Sequence, residues 1–489
     1  MKTQFKKGTA LIVLTIMSVF LLFAEKTPIE HLHSYTLDNG LSVFVAENHS
    51  APLVYIEVTV RAGSIAQTPE NAGLFHLYEH MMFKGNAKYR NSQAMQTALK
   101  NMGVTNWNGT TSIDRVNYFI TVPVDQFENG LEFWSYAIRE PLMVPKEFED
   151  EKKVVISEIQ GGYGQPSEQQ SYFTTKNLFP EAPWTFDPSG PVEVVQNATI
   201  QQLRDIQQKY YIPNNAAVLV GGDVAPDEAY KLVKKVFGNW KGGDDPWKEE
   251  AKPYNRNPLD APLYCVIPHD ELSPEYLQVI VTYRGPDADF DTNDTYTADV
   301  LSKILADPNG AFVKTVLKNK NLQIPNAQYL WAGYQTMRHH GLVSFNGVMI
   351  RPETNLPGRA LDFYETVTKK ALPAVEKDKS LETEQKRNLL LQSLKDGRAW
   401  DTETAEKLLS ILSYYWTYAP KDYFLSYDDN LTKVEKKDIT TYLQTYVYNR
   451  NPVIKVFVNP QVYEQTKKEF DDAGFVQITA DNAFWWSDK

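Results

Sequence analysis

Hydrophobic and polar residues alternate in several short stretches of the chain, which is the period of strands with one buried face. The first such stretch, residues 35–45, reads Tyr-Thr-Leu-Asp-Asn-Gly-Leu-Ser-Val-Phe-Val and places Asn39-Gly40 at its centre. Because Asn-Gly is typical of tight turns between paired strands, we expect a hairpin there. Further strands are predicted at 53–60, 115–123, 216–222, 263–267, 276–284 and 341–350.

Between these stretches the apolar residues recur every three or four positions, as they do on one face of a helix. Helices are predicted at 72–83, 92–102, 126–138, 146–160, 200–209, 226–238, 294–306, 310–319, 357–375, 382–396, 402–418 and 433–446. Since the strands and helices do not alternate regularly, the expected fold class is α+β.

The pattern also indicates two halves. Residues 241–259 are polar and rich in glycine and proline, a composition typical of a linker. The sequence Tyr-Tyr-Ile-Pro-Asn-Asn at Tyr210 resembles Tyr-Val-Tyr-Asn-Arg-Asn at Tyr446, an offset of 236 residues. That offset is far longer than the roughly 20–50 residues of a solenoid repeat. We therefore predict duplicated domains at 30–240 and 260–480.

The N-terminus has the pattern of a secretory signal. Three lysines, Lys2, Lys6 and Lys7, precede an apolar run from Ala10 to Ala24. Such a run is about 22 Å long as a helix, shorter than the ~30 Å hydrocarbon core of a membrane. The sequence predicts a signal peptide at 1–24, export to the periplasm or the extracellular space, and no stable membrane span in the mature form. The alternative is an uncleaved N-terminal membrane anchor.

Composition narrows the possible functions. The chain has 489 residues and a formal net charge of −11, which argues against nucleic acid as a partner. Its only cysteine is Cys265, so an intrachain disulfide and a cysteine-based metal cluster are both excluded.

One histidine motif indicates metal chemistry. His76, Glu79 and His80 form a His-x-x-Glu-His pattern inside a predicted helix, which places the two imidazoles one turn apart on one face. Two imidazoles suit zinc, and a catalytic zinc normally has three protein ligands. Glu79 lies beside the pair and is placed to act as general base. The other histidines considered, His31, His33, His49, His339 and His340, are expected at the surface.

The third ligand should be an acidic residue from another helix. Glu151 and Glu158 are seven residues apart, about two helical turns, so they share one face of the predicted helix 146–160. Spacing along the sequence does not show which of them approaches His80.

Together these segments resemble the pitrilysin/insulinase family of zinc peptidases, the inverzincins, which includes mitochondrial processing peptidase. The similar segments are Leu37-Asp-Asn-Gly-Leu-Ser-Val, Arg61-Ala-Gly-Ser, the core from His76 to Lys84, the stretch from Glu151 to Glu158, and Tyr210-Tyr-Ile-Pro-Asn-Asn. The resemblance implies two duplicated α/β sandwich halves, of which only the first binds one Zn²⁺. It further implies that His76, His80 and Glu158 are the ligands, Glu79 the base, and Glu151 a supporting acid near the metal.

The resemblance extends to substrate binding. The segment Val104-Thr-Asn-Trp-Asn-Gly-Thr-Thr-Ser is similar to a family segment in which the residue matching Asn108 contacts the substrate backbone. The following strand, near 113–121, would present an edge to an extended peptide. The alternative is a polar loop before an ordinary strand.

The sequence departs from the family in its second half. Members with complete active sites use an Arg and a Tyr there, but Lys318 and Ile324 occupy the matching positions. Lysine lacks the bidentate guanidinium and isoleucine donates no hydrogen bond, and Tyr329 is wrongly spaced to substitute. We therefore expect a paralogous subunit to supply the Arg/Tyr pair.

These observations predict an exported zinc endopeptidase that hydrolyses short or unfolded peptides, as the catalytic subunit of a two-chain enzyme. Two alternatives stay open. One is a non-catalytic scaffold or binding subunit of the same fold, and the other is a self-sufficient homodimeric peptidase.

Overall fold

The computed structural model describes residues 28–104, 106–249, 251–420 and 422–484. Within these ranges the chain forms two α+β halves, each built on a six-stranded mixed sheet, which confirms the predicted fold class. The predicted signal peptide at 1–24 lies outside the described residues. No helix in the described part is both long enough and apolar enough to cross a membrane.

The first sheet has the strand order β1-β2-β6-β3-β5-β4. Its strands are β1 Leu32–Thr36, β2 Ser42–Glu47, β3 Leu53–Val60, β4 Trp107–Thr111, β5 Val116–Pro123 and β6 Ala216–Gly222. The predicted hairpin joins β1 to β2, with Gly40 at a φ of +90°. β2 runs parallel to β6, and the other neighbours are antiparallel.

The second sheet has the order β12-β7-β11-β8-β10-β9. Its strands are β7 Leu263–Pro268, β8 Tyr276–Arg284, β9 Leu330–Gln335, β10 Leu342–Ile350, β11 Val453–Val458 and β12 Val476–Gln477. Five of its strands, in the order β7-β11-β8-β10-β9, have the same order and directions as the five strands β2-β6-β3-β5-β4 of the first sheet. This shared topology supports the predicted duplication.

Helices cover both sheets. In the first half they are α1 Leu74–Met81, α2 Ser92–Asn101, α3 Phe127–Arg139, α4 Pro145–Tyr163, α5 Pro166–Leu178, α6 Val192–Gln196, α7 Ile200–Tyr210 and α8 Pro226–Phe237. In the second half they are α9 Thr292–Ala306, α10 Ala311–Lys318, α11 Leu356–Thr366, α12 Leu372–Glu376, α13 Glu384–Asp401, α14 Ala405–Tyr418, α15 Tyr427–Leu431, α16 Lys436–Tyr446, α17 Pro460–Asp472 and α18 Ala480–Ala483. Between α8 and β7 the described residues contain no helix or strand.

One helix of each half packs on the sheet of the other half. α14 packs on the face of the first sheet, where Leu409 and Trp416 join Phe44 and Leu219 in one apolar cluster. α5 does the same on the second sheet, with Phe173 clustered among the strand residues there. The first sheet is therefore covered on both faces, which explains why β3 and β6 are almost continuously buried instead of alternating.

The predicted position of the substrate-binding edge is wrong. The strand predicted near 113–121 is not an edge, because β5 pairs with β3 on one side and β4 on the other. The edge is β4, which itself carries Asn108.

The expectation that His339 and His340 lie at the surface is also wrong, because both are buried. Their turn between β9 and β10 is inserted between the halves, where the Arg338 N–H donates to Asp114 of the first half. His339 pairs with Asp289 at 3.1 Å and His340 lies 3.2 Å from the Thr185 hydroxyl. His33 and His49 are exposed, as predicted, and His31 is half-buried.

Candidate metal centre

The helix α1 holds the histidine pair at a fixed position. Gly73 precedes it with a φ of +88°, and a Cβ on this residue would lie 2.3 Å from the Ser189 carbonyl oxygen, so only glycine fits. The apolar side chains of the helix are buried: Leu74, Phe75, Leu77, Tyr78 and Met81. The remaining face presents His76 and His80 to a cavity, as the helical spacing predicts.

The ligand atoms of three predicted residues converge. The Nε2 atoms of His76 and His80 are 3.1 Å apart, and Glu158 Oε2 lies 3.9 Å from the first and 3.5 Å from the second. In a tetrahedral zinc site with bonds of about 2.0–2.1 Å, ligand atoms are about 3.4 Å apart. The three atoms therefore fit a zinc ion without rearrangement of the helices.

Glu151 orients one of the two imidazoles. Its Oε1 is 2.8 Å from His80 Nδ1, and its Oε2 is 2.5 Å from Lys84 Nζ. Although burial opposes ionisation, the hydrogen bonds from His80 and Lys84 hold the pKa of Glu151 below its usual value. An ionised Glu151 accepts a hydrogen bond from the Nδ1–H group of His80, which leaves the Nε2 lone pair of His80 directed at the proposed metal position.

His76 is in the form that binds metals. Burial, together with the neighbouring His80, lowers the pKa of His76 to about 4. Its imidazole is therefore neutral at physiological pH, so no proton has to leave before a cation binds.

Glu79 lies beside the two histidines, on the side that faces the first sheet. Only 6% of it is exposed, and its Oε2 accepts a hydrogen bond from Thr111 on β4 at 3.4 Å. Its Oε1 is 2.8 Å from where a Cβ on Gly109 would be, so the glycine leaves room for the carboxylate. Burial raises the pKa of Glu79 to about 7. Ligand atoms of His76, Glu79 and His80 all lie within 4.8 Å of one another.

A cavity of about 420 Å³ opens above these residues. Asn108 lines it from the edge strand β4, as do Trp107 and Gly109, and Phe83 lies against the Trp107 ring. All its described lining residues belong to the first half: His76, Glu79, His80, Phe83, Lys84, Ser92, Met95, Gln96, Leu99, Trp107, Asn108, Gly109, Phe133 and Glu151. Lys318, Ile324 and Tyr329 are not among them.

The sequence analysis gave no role to three residues of this site, Trp107, Gly109 and Thr111. All three belong to β4, which reads Trp-Asn-Gly-Thr-Thr and lacks the alternation of a half-buried strand. The available signal was the similarity around Asn108, which already marked this segment as close to the substrate.

Comparison with known proteins gives two matches to models of one family. Residues 42–176 match the family described as insulinase, peptidase family M16, and residues 197–369 match the peptidase M16 inactive domain. The second match begins in the first half and crosses the predicted linker.

Curated relatives carry related names. The chain is 28% identical over 290 residues to zinc protease PqqE of Helicobacter pylori, covering 59% of this chain and 64% of that protein. It is 27% identical over 208 residues to the beta subunit of mitochondrial-processing peptidase of Dictyostelium discoideum, covering 42% of this chain and 44% of the relative. The chain thus spans less than two thirds of these relatives.

Solved structures share the fold. A protease from Helicobacter pylori superposes with a TM-score of 0.69 at 20% identity, covering 87% of this chain and 99% of that one. The first half of the periplasmic protease PqqL from Escherichia coli gives 0.72 at 18% identity, covering 94% and 97%. Because two models of one family match more than half of the sequence and a solved structure shares the fold over 87% of the chain, the chain belongs to the insulinase family of peptidases, M16.

Proposed function

We propose that this chain is a zinc-dependent endopeptidase acting on short or unfolded peptides, and that it is the metal-bearing subunit of a two-chain enzyme. The observation that supports this most is the convergence of His76, His80 and Glu158, with Glu79 beside them under an edge strand. A scaffold subunit has no need of such a ligand set.

Each residue has a definite role in this proposal. His76, His80 and Glu158 would hold the ion, and Glu151 fixes the orientation of His80. A zinc ion bound there would supply a Lewis acid that polarises the scissile carbonyl and acidifies a water molecule. Glu79 accepts the proton of the attacking water and delivers it to the leaving amine, while Thr111 holds its carboxylate in place.

The edge strand β4 supports the proposed class of substrate. It is one of the two edge strands of the first sheet, so one row of its backbone groups can pair with an extended peptide added as a further strand. Asn108 lies on this strand at the cavity wall and would contact the peptide backbone. A peptide must be unfolded to pair in this way, which favours short or unstructured substrates.

The residues that line the cavity support the proposal of a second chain. Its described lining residues belong to the first half, and Lys318 and Ile324 stand where an Arg and a Tyr are expected. We propose that a paralogous subunit contributes that pair. Export is also part of the proposal, and the relative PqqL is described as periplasmic.

The variant Glu79→Gln tests the function. The amide keeps the shape of the side chain but cannot accept a proton, and loss of a general base typically slows a reaction about 10²–10⁴-fold. In the complex co-purified with the tagged chain, we expect unchanged zinc content and peptide hydrolysis at least 100-fold slower. Hydrolysis within threefold of wild type would refute the role of Glu79.

A further inference from the structure

The third proposed ligand, Glu158, lies just before a glycine-containing turn at the end of its helix. Glu158 is followed within α4 by Gly161 and Gly162, and Gly164 is the C-cap residue. Glycine inside a helix is less stable than alanine, because its backbone loses more conformational freedom. Because the carbonyl of residue 158 accepts from the N–H of residue 162 in an α-helix, the backbone of Glu158 depends on this turn.

The other ligands have firmer support. His76 and His80 stand on α1, whose opposite face is buried in the first core. On α4, Val155 and Ile159 are buried and fix the helix just before its last turn. The side chain of Glu158, by contrast, is 50% exposed.

Residue Phe484, at the end of the last described segment, packs against that last turn. The ring of Phe484 lies 4.6 Å from that of Tyr163, the final residue of α4, and 5.1 Å from that of Tyr172 on α5. Phe484 is only 2% exposed. The short helix α18 before it is held in turn by Lys176 of α5, whose ammonium donates to the Asn482 carbonyl at 3.3 Å.

We propose that residues 480–484 form a C-terminal clamp and that Phe484 is a positioning residue for Glu158. The clamp holds the glycine-containing turn closed through Tyr163, and so keeps the Glu158 carboxylate at the two Nε2 atoms. This inference rests on the proposed role of Glu158 as a zinc ligand. Residues that act on a metal through its ligands typically alter its affinity 10–100-fold, and we expect the lower end because Val155 and Ile159 remain.

Zinc affinity, measured by competition with a chelating dye, tests the clamp without reference to activity. Phe484→Ala in the full chain should lower the affinity about tenfold. The matched control is Phe475→Ala, which removes another buried ring, one that contacts Tyr264 and Phe470 in the second half. The control should bind zinc as the wild type does, and an equal loss in both variants would overturn the proposal.

Alanine in the glycine turn gives a rescue experiment. A Cβ at Gly161 meets no atom within 4 Å, and one at Gly162 meets only Glu168 Cγ at 4.0 Å, so both positions accept alanine. Gly161→Ala with Gly162→Ala stiffens the turn and should restore zinc affinity to the Phe484→Ala chain. If affinity stays low in the combined variant, the turn is not what Phe484 supports, and the proposal fails.

A double-mutant cycle separates this inference from the proposed function. In a Glu158→Ala chain, Phe484→Ala should cause no further loss of zinc affinity, because its only route to the metal is gone. A further tenfold loss there would overturn the clamp. If Glu158→Ala leaves the affinity unchanged, the ligand set is wrong. Should Phe484→Ala fail to fold, Phe484→Leu takes its place in the same cycle.

Discussion

Two carboxylates contact opposite nitrogens of a single imidazole. Glu151 lies 2.8 Å from Nδ1 of His80 and Glu158 lies 3.5 Å from Nε2. Only Nε2 also faces His76, so a cation between the histidines is within reach of Glu158 and not of Glu151. The proposal therefore gives the two acids, which lie on one helix, different roles.

Substituting each acid distinguishes these roles. Glu158→Gln should lower zinc occupancy, because a neutral amide is a poor ligand for zinc. Glu151→Gln should retain more zinc and lose more rate, because it only misorients His80. Zinc per chain by mass spectrometry and peptide hydrolysis are measured on both, with Glu149→Gln on the exposed face of α4 as control. The reverse pattern would assign the ligand role to Glu151.

Part of this site could be predicted from the sequence alone. The spacing of His76, Glu79 and His80 requires only that α1 be helical, so a local pattern determines their juxtaposition. The choice between Glu151 and Glu158 came from family resemblance, since it depends on how α4 packs against α1. That packing is a property of two elements distant in sequence, and no local period encodes it.

At the level of elements, the two halves meet through buried polar groups. Glu57 on β3 is fully buried and accepts hydrogen bonds from Tyr55, Asn117 and Ser413, the last of which belongs to α14. Nearby, Asp114 follows β4 and accepts from the Arg338 backbone N–H through Oδ2, while its Oδ1 is buried without a partner among the described residues.

Asp114 should make stability depend on pH. Burial raises the pKa of its carboxyl to about 7, whereas in the unfolded chain it is near 3.9. Between these values the native state binds the extra proton, so this group's contribution to the free energy of unfolding decreases as pH rises from about 4 to 7.

Asp114→Asn removes this dependence. From pH 5 to pH 7 the unfolding free energy of the variant, relative to wild type, should rise by about 2 kcal/mol, as measured by urea unfolding. The exposed Asp270→Asn serves as control and should show no such change. Parallel pH profiles for wild type and Asp114→Asn would contradict the assignment.

The helices and strands predicted from periodicity correspond closely to those observed, because amphipathic segments carry their own signal. For example, the helix predicted at 92–102 is Ser92–Asn101. The observed elements that were not predicted are β4, β9, β11, β12, α5, α6, α15, α17 and α18. Two of them, β4 and α5, were missed for physical reasons. β4 is a polar strand, and it forms because it pairs with β5. α5 packs on the sheet of the other half, and its apolar residues form only a weak helical pattern.

At the scale of the whole molecule, no described residue of the second half lines the cavity above the histidines. We therefore expect the purified mature chain to bind zinc yet hydrolyse unstructured peptides poorly. Losing one donor to the developing oxyanion typically costs about 10²–10³-fold in rate. Adding a paralogous chain that carries the Arg/Tyr pair should restore hydrolysis as a 1:1 complex, measured by titrating the partner.

The partner's Arg and Tyr give the matching control. Changing either should depress hydrolysis by the complex and leave its zinc content unaltered. Full activity from a verified monomer or homodimer, with Lys318 and Ile324 in place, would instead show that the chain is self-sufficient.

The central claim is one zinc ion per chain, held by His76, His80 and Glu158. Anomalous diffraction from crystals of the zinc-loaded chain, recorded on both sides of the zinc absorption edge, locates the ion directly. The account predicts one strong peak, about 2.0–2.2 Å from both Nε2 atoms and from a Glu158 oxygen, with Glu151 on His80 Nδ1 and Glu79 outside bonding distance. A peak bonded by Glu151 or Glu79 in place of Glu158, or no peak between the histidines, would contradict it.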